Sequence, residues 1–125
     1  MTYEDAYLWA TGNWNCKNPD FPPEIGQSDD PILLKNFLQG LYLSQDAGEV
    51  NVLECEQHRF ACGVQHAWSK LNVHVDNTMP LTDRTETRHV IRPMSLIDDI
   101  IMNQILYQPV SELQKYMSIF KDNLK

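Results

Sequence analysis

The residue types best suited to chemistry fall in one short stretch: Cys55, His58, Cys62 and His66, spaced Cys-x2-His-x3-Cys-x3-His. Thiolate sulfur and imidazole nitrogen are the usual ligands of zinc. At about 100° per residue, a helix gathers all four within an arc of roughly 80°, opposite a stripe of Leu53, Phe60 and Val64. Length is the obstacle. From Cys55 to His66 a helix rises roughly 16 Å at about 1.5 Å per residue, so four ligands on one straight helix cannot surround one ion. Only a neighbouring pair can share a metal, His58 with Cys62 or Cys62 with His66. The rest of the shell would come from Cys16, His74, His89 or a second chain. The plainer expectation is a helix buried on both sides, with cysteines inside and histidines at its edge.

Cys62 also has an imidazole within reach four residues away on either side. A nucleophilic thiol needs an orienting residue, oxyanion donors and often a helix N-terminus. A mid-helix cysteine has few free amides nearby, so thiol catalysis is not expected. The adjacent acids Asp29-Asp30 and Asp98-Asp99 point apart on a helix, which does not suit paired-carboxylate hydrolysis. No phosphate-binding glycine loop, H-E-x-x-H or G-x-S-x-G occurs. Arg84, Arg88 and Arg92 share one face of any strand through them, with Glu86 between the first two, and read as a solvated ladder.

The charge is uneven. The 125-residue chain carries −7. Residues 1–56 hold ten acids and only Lys17 and Lys35 as bases, leaving −8. Such a half repels nucleic acid and attracts basic surfaces. Aromatic anchors, which interfaces favour, crowd the same end. Together they nominate a partner-binding surface of Tyr3, Asp5, Trp9, Trp14, Asp20, Phe21, Asp46, Glu49, Glu54 and Glu56. The competing expectation is that these aromatics belong to the core.

The elements that must position these residues follow from periodicity. Residues 2–11 fit a short helix ended by Gly12. Residues 13–28, broken by Asn18-Pro19 and Pro22-Pro23, fit a loop laid against the core. Asp30-Pro31 is a helix start, and Leu34, Phe37, Leu38 and Leu41 form its buried stripe to about Ser44. Residues 51–71 read as one helix with Asn51 as cap, weakened by Gly63. Leu71, Val73 and Val75 then alternate with polar residues, as do residues 85–91, and the two runs suit an antiparallel hairpin. Ser95 caps a helix over 96–107 that is apolar nearly all round and so expected to be central. A last helix carries Val110, Leu113, Met117, Phe120 and Leu124.

Residues 1–125 thus read as a single, mostly α domain of about five helices with one small antiparallel β-hairpin. The alternative is an α+β domain with more strand in 48–66. No apolar run nears the roughly 18 residues of a membrane span. The first residues carry acids where a signal peptide needs bases. Three cysteines, an odd number, suit free thiols in a reducing compartment. These features place the protein in the cytoplasm. The function expected is non-enzymatic: an acidic protein that inhibits, or acts as a decoy, by occupying a basic surface of another protein, such as one that binds nucleic acid. Immunity proteins and phage-type anti-defence proteins act in that way. Direct nucleic-acid or membrane binding is not expected, and no cofactor is. The alternatives are a small zinc module or regulatory subunit built on Cys55, His58, Cys62 and His66, and a small enzyme without a recognisable motif.

Overall fold

The computed structural model describes residues 1–12, 18–44, 52–78 and 89–107. Helix α1 (Tyr3–Thr11) starts at a reciprocal cap: Thr2 Oγ1 accepts from the Asp5 amide, and the Asp5 carboxylate accepts from the Thr2 amide. A single turn, α2 (Pro23–Gly26), follows where a loop was expected. Pro23 begins that turn because a first helical position needs no amide hydrogen.

Helix α3 (Pro31–Ser44) starts at Asp30, whose Oδ1 accepts from the Ile32 amide at 3.0 Å. The other oxygen of Asp30 accepts from the Tyr3 hydroxyl at 2.6 Å, tying α1 to the start of α3. Burial and the Asp30 carboxylate push the Tyr3 phenol up to about 12. Small residues let α1 and α3 approach closely. Ala6 and Ala10 are fully buried, and a Cβ on Gly40 would lie 2.6 Å from the Tyr7 carbonyl oxygen.

The expected helix over 51–71 is a strand and a shorter helix. Strand β1 (Leu53–Cys55) buries Leu53 and Cys55 and exposes Glu54; helix α4 (His58–Lys70) begins after it. Gly63 belongs to α4 for a packing reason. A Cβ there would sit 2.4 Å from the Phe21 ring. That ring meets Phe37 and Phe60 edge-on at 5.2 and 5.3 Å. Trp9 stacks on both phenylalanines at 5.7 and 5.9 Å. Deeper in, Trp68 Nε1 donates to the Tyr42 hydroxyl at 2.9 Å.

Helix α4 ends with Asn72 in the left-handed region (φ 61°). The Val73 and Asn72 amides there turn back to the Trp68 and Ser69 carbonyls. The strand expected from Leu71 therefore starts later, as β2 (Val75–Thr78). β2 pairs antiparallel with β3 (His89–Pro93), as the hairpin reading expected. β3 also pairs with β1 on its other side, giving the order β1-β3-β2. Helix α5 (Leu96–Leu106) closes the described fold. Among the described residues the architecture is five helices and a small three-stranded antiparallel sheet, mostly α with some β. The helix expected over residues 110–124 and the first part of the 85–91 run lie outside the described residues. No described helix is long and apolar enough to cross a membrane.

The close contacts make a test. Glycine to alanine in a helix interior normally stabilises by about 0.5–1 kcal/mol. At Gly63 the new methyl meets the Phe21 ring, so Gly63→Ala is expected to destabilise by about 1–3 kcal/mol, the usual cost of overpacking. At Gly40 it meets backbone of α1, and the loss should be larger. Urea midpoints read both; an unchanged or raised midpoint for either variant refutes the packing described.

Candidate functional site

Two of the four sequence-nominated ligands stay together, and two do not. Cys55 is on β1, fully buried and disulfide-bonded. The expectation of three free thiols is corrected there, and Cys55 is not on the helix that was to align it with the others. His66 lies one turn further along α4, exposed. His58, the first residue of α4, and Cys62 are both exposed, with His58 Nε2 3.4 Å from the Cys62 sulfur. Cys62 is a free thiol.

The sheet adds two residues that spacing along one helix could not reveal. Strand register sets Cys55 opposite His89 and Asn77 opposite Ile91. Paired and alternate positions share a face, so Asn77 and His89 lie on the same side as buried Leu53, Cys55 and Ile91. Asn77 Oδ1 lies 3.1 Å from His89 Nδ1, and its amide nitrogen lies 3.7 Å from the Cys62 sulfur. These contacts assign Asn77 a consistent polarity: it accepts from His89 and donates weakly to sulfur. The His89 side chain is 8% exposed, and its ring centre is 4.9 Å from that of His58. Burial first, and His58 second, lower the His89 imidazole below its ordinary value. A neutral His89 therefore donates from Nδ1 and keeps a lone pair on Nε2.

The nominated partner-binding residues divide by type. The aromatics serve the core: Tyr3 is held by Asp30, while Trp9 and Phe21 pack on Phe37 and Phe60. The acids Asp5, Asp20, Glu54 and Glu56 are exposed, as are Glu4, Glu24, Asp29 and Asp76. Trp14, Asp46 and Glu49 lie outside the described residues, as do Arg84 and Arg88 of the basic ladder. Of the described cations, Lys35 and Lys70 are half-buried around a cleft of about 380 Å³ between α3, α4 and α5. The Lys70 ammonium donates to the Gly26 and Ser28 carbonyls at 3.0 and 2.7 Å. Arg59 and Arg92 are left as exposed bases, so the described surface is dominated by acids.

Helix α5 is not the central helix its composition implied. Met102, Ile105 and Leu106 face the core, but Leu96, Ile97 and Ile100 are 74%, 69% and 47% exposed, with Met94 beside them at 60%. An apolar helix needs partners on all sides, and the described fold covers one. The start of α5 is pinned: Ser95 Oγ donates to Asp98 Oδ2 at 2.6 Å and accepts from the Asp98 amide. Asp98 Oδ1 accepts from the His74 amide at 2.9 Å, which ties the helix to the entry of β2.

Comparisons with protein-family models, with curated proteins and with solved structures give no match.

The Asp98 carboxyl is held below the usual carboxylate range, first by the His74 amide and then by the Ser95 hydroxyl. A carboxyl depressed on folding adds stability that is present above the unfolded value and lost as pH falls through the folded one. Thermal midpoints of the wild-type chain should therefore drop as pH is lowered past the ordinary carboxylate range. Asp98→Asn should melt lower at neutral pH and lose part of that acid-driven fall. A variant with the wild-type midpoint at neutral pH would contradict the anchoring role.

Proposed function

We propose that this chain is a non-enzymatic protein-binding protein that acts by occupying a basic surface of its partner. The observation that carries the reading is the exposed apolar strip of Leu96, Ile97 and Ile100 on a helix with a fixed start. Contiguous exposed apolar surface is characteristic of docking sites. The exposed acids supply the second component. They attract a basic partner over distance and orient it, while the apolar strip supplies short-range contact. Inhibition or decoy action follows if the occupied surface is one that binds nucleic acid, because carboxylates then compete with phosphates. An immunity protein or a phage-type anti-defence protein would work in this manner.

The test is affinity capture from source lysate at low and high salt, with wild type and Ile97→Asp. Ile97 is exposed, so the substitution leaves the core intact. One stoichiometric basic partner is expected, released by high salt and held at least tenfold more weakly by Ile97→Asp. Loss of a hot-spot residue at an interface costs about 2 kcal/mol or more. Capture indifferent to both salt and Ile97→Asp, or capture of no basic protein, would overturn the proposal.

A further inference from the structure

We propose that the cleft between α3, α4 and α5 binds a small organic monocarboxylate with a compact apolar body. Its volume of about 380 Å³ falls within the roughly 300–1,000 Å³ of small-molecule sites. Three helices supply the lining. Lys35 comes from α3, Lys70 from the last turn of α4, and Ile101 and Gln104 from one side of α5. Leu71 and Asn72 join them from the turn that ends α4, where Asn72 takes up its left-handed conformation. None of the lining residues is an acid, in a chain whose net charge is −7.

The two lysines stand differently. The Lys70 ammonium is fixed by the neutral Gly26 and Ser28 carbonyls, and the acid nearest to it, Asp29, is exposed and 3.8 Å away. So exposed a pair is largely screened by water. Lys35 is half-buried and has no hydrogen-bond or ion-pair partner among the described residues. A charge withdrawn from water costs free energy unless an opposite charge sits beside it. The helix ends at the cleft do not fill that role. The Trp68 and Ser69 carbonyls accept from amides of the α4 cap, and the Ile105 carbonyl accepts from Gln39 Nε2 at 2.8 Å. The carboxylate therefore belongs at Lys35 and the apolar body against Leu71 and Ile101, while the Asn72 and Gln104 amides remain for a second polar group. A phosphate fits less well. Phosphate sites use the arginine fork or the free amides of a helix N-terminus. The cleft has no arginine, α4 and α5 contribute their C-terminal turns, and α3 contributes Pro31, which has no amide hydrogen.

The probe is para-hydroxybenzoate, with para-hydroxybenzamide as its neutral counterpart and inorganic phosphate as the competing anion. Each is titrated into the isotope-labelled full chain while the amide resonances of residues 70–72 and 101–105 are followed. The carboxylate is expected to saturate these shifts with a Kd of about 1 mM or below. The neutral amide and phosphate are each expected to bind at least tenfold more weakly. Lys35→Met should weaken carboxylate binding at least tenfold, because a charge-assisted hydrogen bond is lost. Lys70 also ties α4 to the α2 turn, so Lys35 carries the test. Gln104→Trp, at an exposed position of α5, should block the cleft without altering its charge. Arg59→Met, at the other end of α4, should change nothing. The proposal is overturned by the absence of a saturable shift at these residues, by equal binding of the neutral amide or of phosphate, or by carboxylate binding that survives Lys35→Met or Gln104→Trp. An equal loss in Arg59→Met would overturn it too, by showing general charge attraction in place of a site.

Discussion

The Phe21 ring packs against α4 at Gly63, and most of the described fold is arranged around that contact. Phe21 precedes α2, yet it fills the space between α3 and α4 by meeting Phe37 and Phe60 edge-on. Trp9 of α1 closes the same cluster by stacking on both rings. Four aromatic rings from four segments thus fix three helices against one another. Edge-on and offset contacts have preferred directions as well as apolar area, so the cluster sets orientation and not merely proximity. Gly63 is the condition for it, because a side chain there would occupy the volume of the ring.

Once α4 is set, the sheet has little freedom. Its buried face, Leu53, Cys55, Val75 and Ile91, packs against the helices. The same register that buries Ile91 brings Asn77 and His89 to the side where Cys62 and His58 stand. The polar cluster is therefore a by-product of apolar registration: a slip by one residue would move His89 to the opposite face of the sheet. Asp98 performs the corresponding task for α5. One carboxylate serves both its own helix cap and the approach to β2, so the exposed strip and the sheet are held in a common frame.

Much of this was legible from residue pattern where the signal is local. Asp30-Pro31 with Leu34, Phe37, Leu38 and Leu41 located α3, Ser95 located the start of α5, and alternating runs located the β2–β3 pair. Long-range causes were not legible. β1 is three residues with one alternation, and its Leu53 fits a helical stripe equally well; pairing with β3 makes it a strand. Gly63 looked like a weakness in a helix because its ring partner is far away in sequence. The aromatic-rich beginning suited a surface as well as a core until Phe37 and Phe60 were seen to claim its rings. For the candidate site, spacing found His58 and Cys62 because both are on α4. It ranked Cys55 and His66 above His89, since a lone histidine in an alternating run gains meaning only from strand register.

The strand order carries a consequence for how the chain assembles as it is made. The middle strand, β3, is the last of the three to leave the ribosome, so β1 cannot complete its hydrogen bonding until residues 89–93 have been synthesised. Helices α1 and α3 need no such delay, because all their mutual contacts lie within the first 44 residues. Local helical contacts form before distant strand pairs, whose loops cost entropy to close. The N-terminal helices can therefore pair early in synthesis, while β1 spends that interval as an unpaired strand beside a finished α1–α3 pair. For this small domain, the hazard of a wrong pairing is concentrated in one brief stage between β1 and β3.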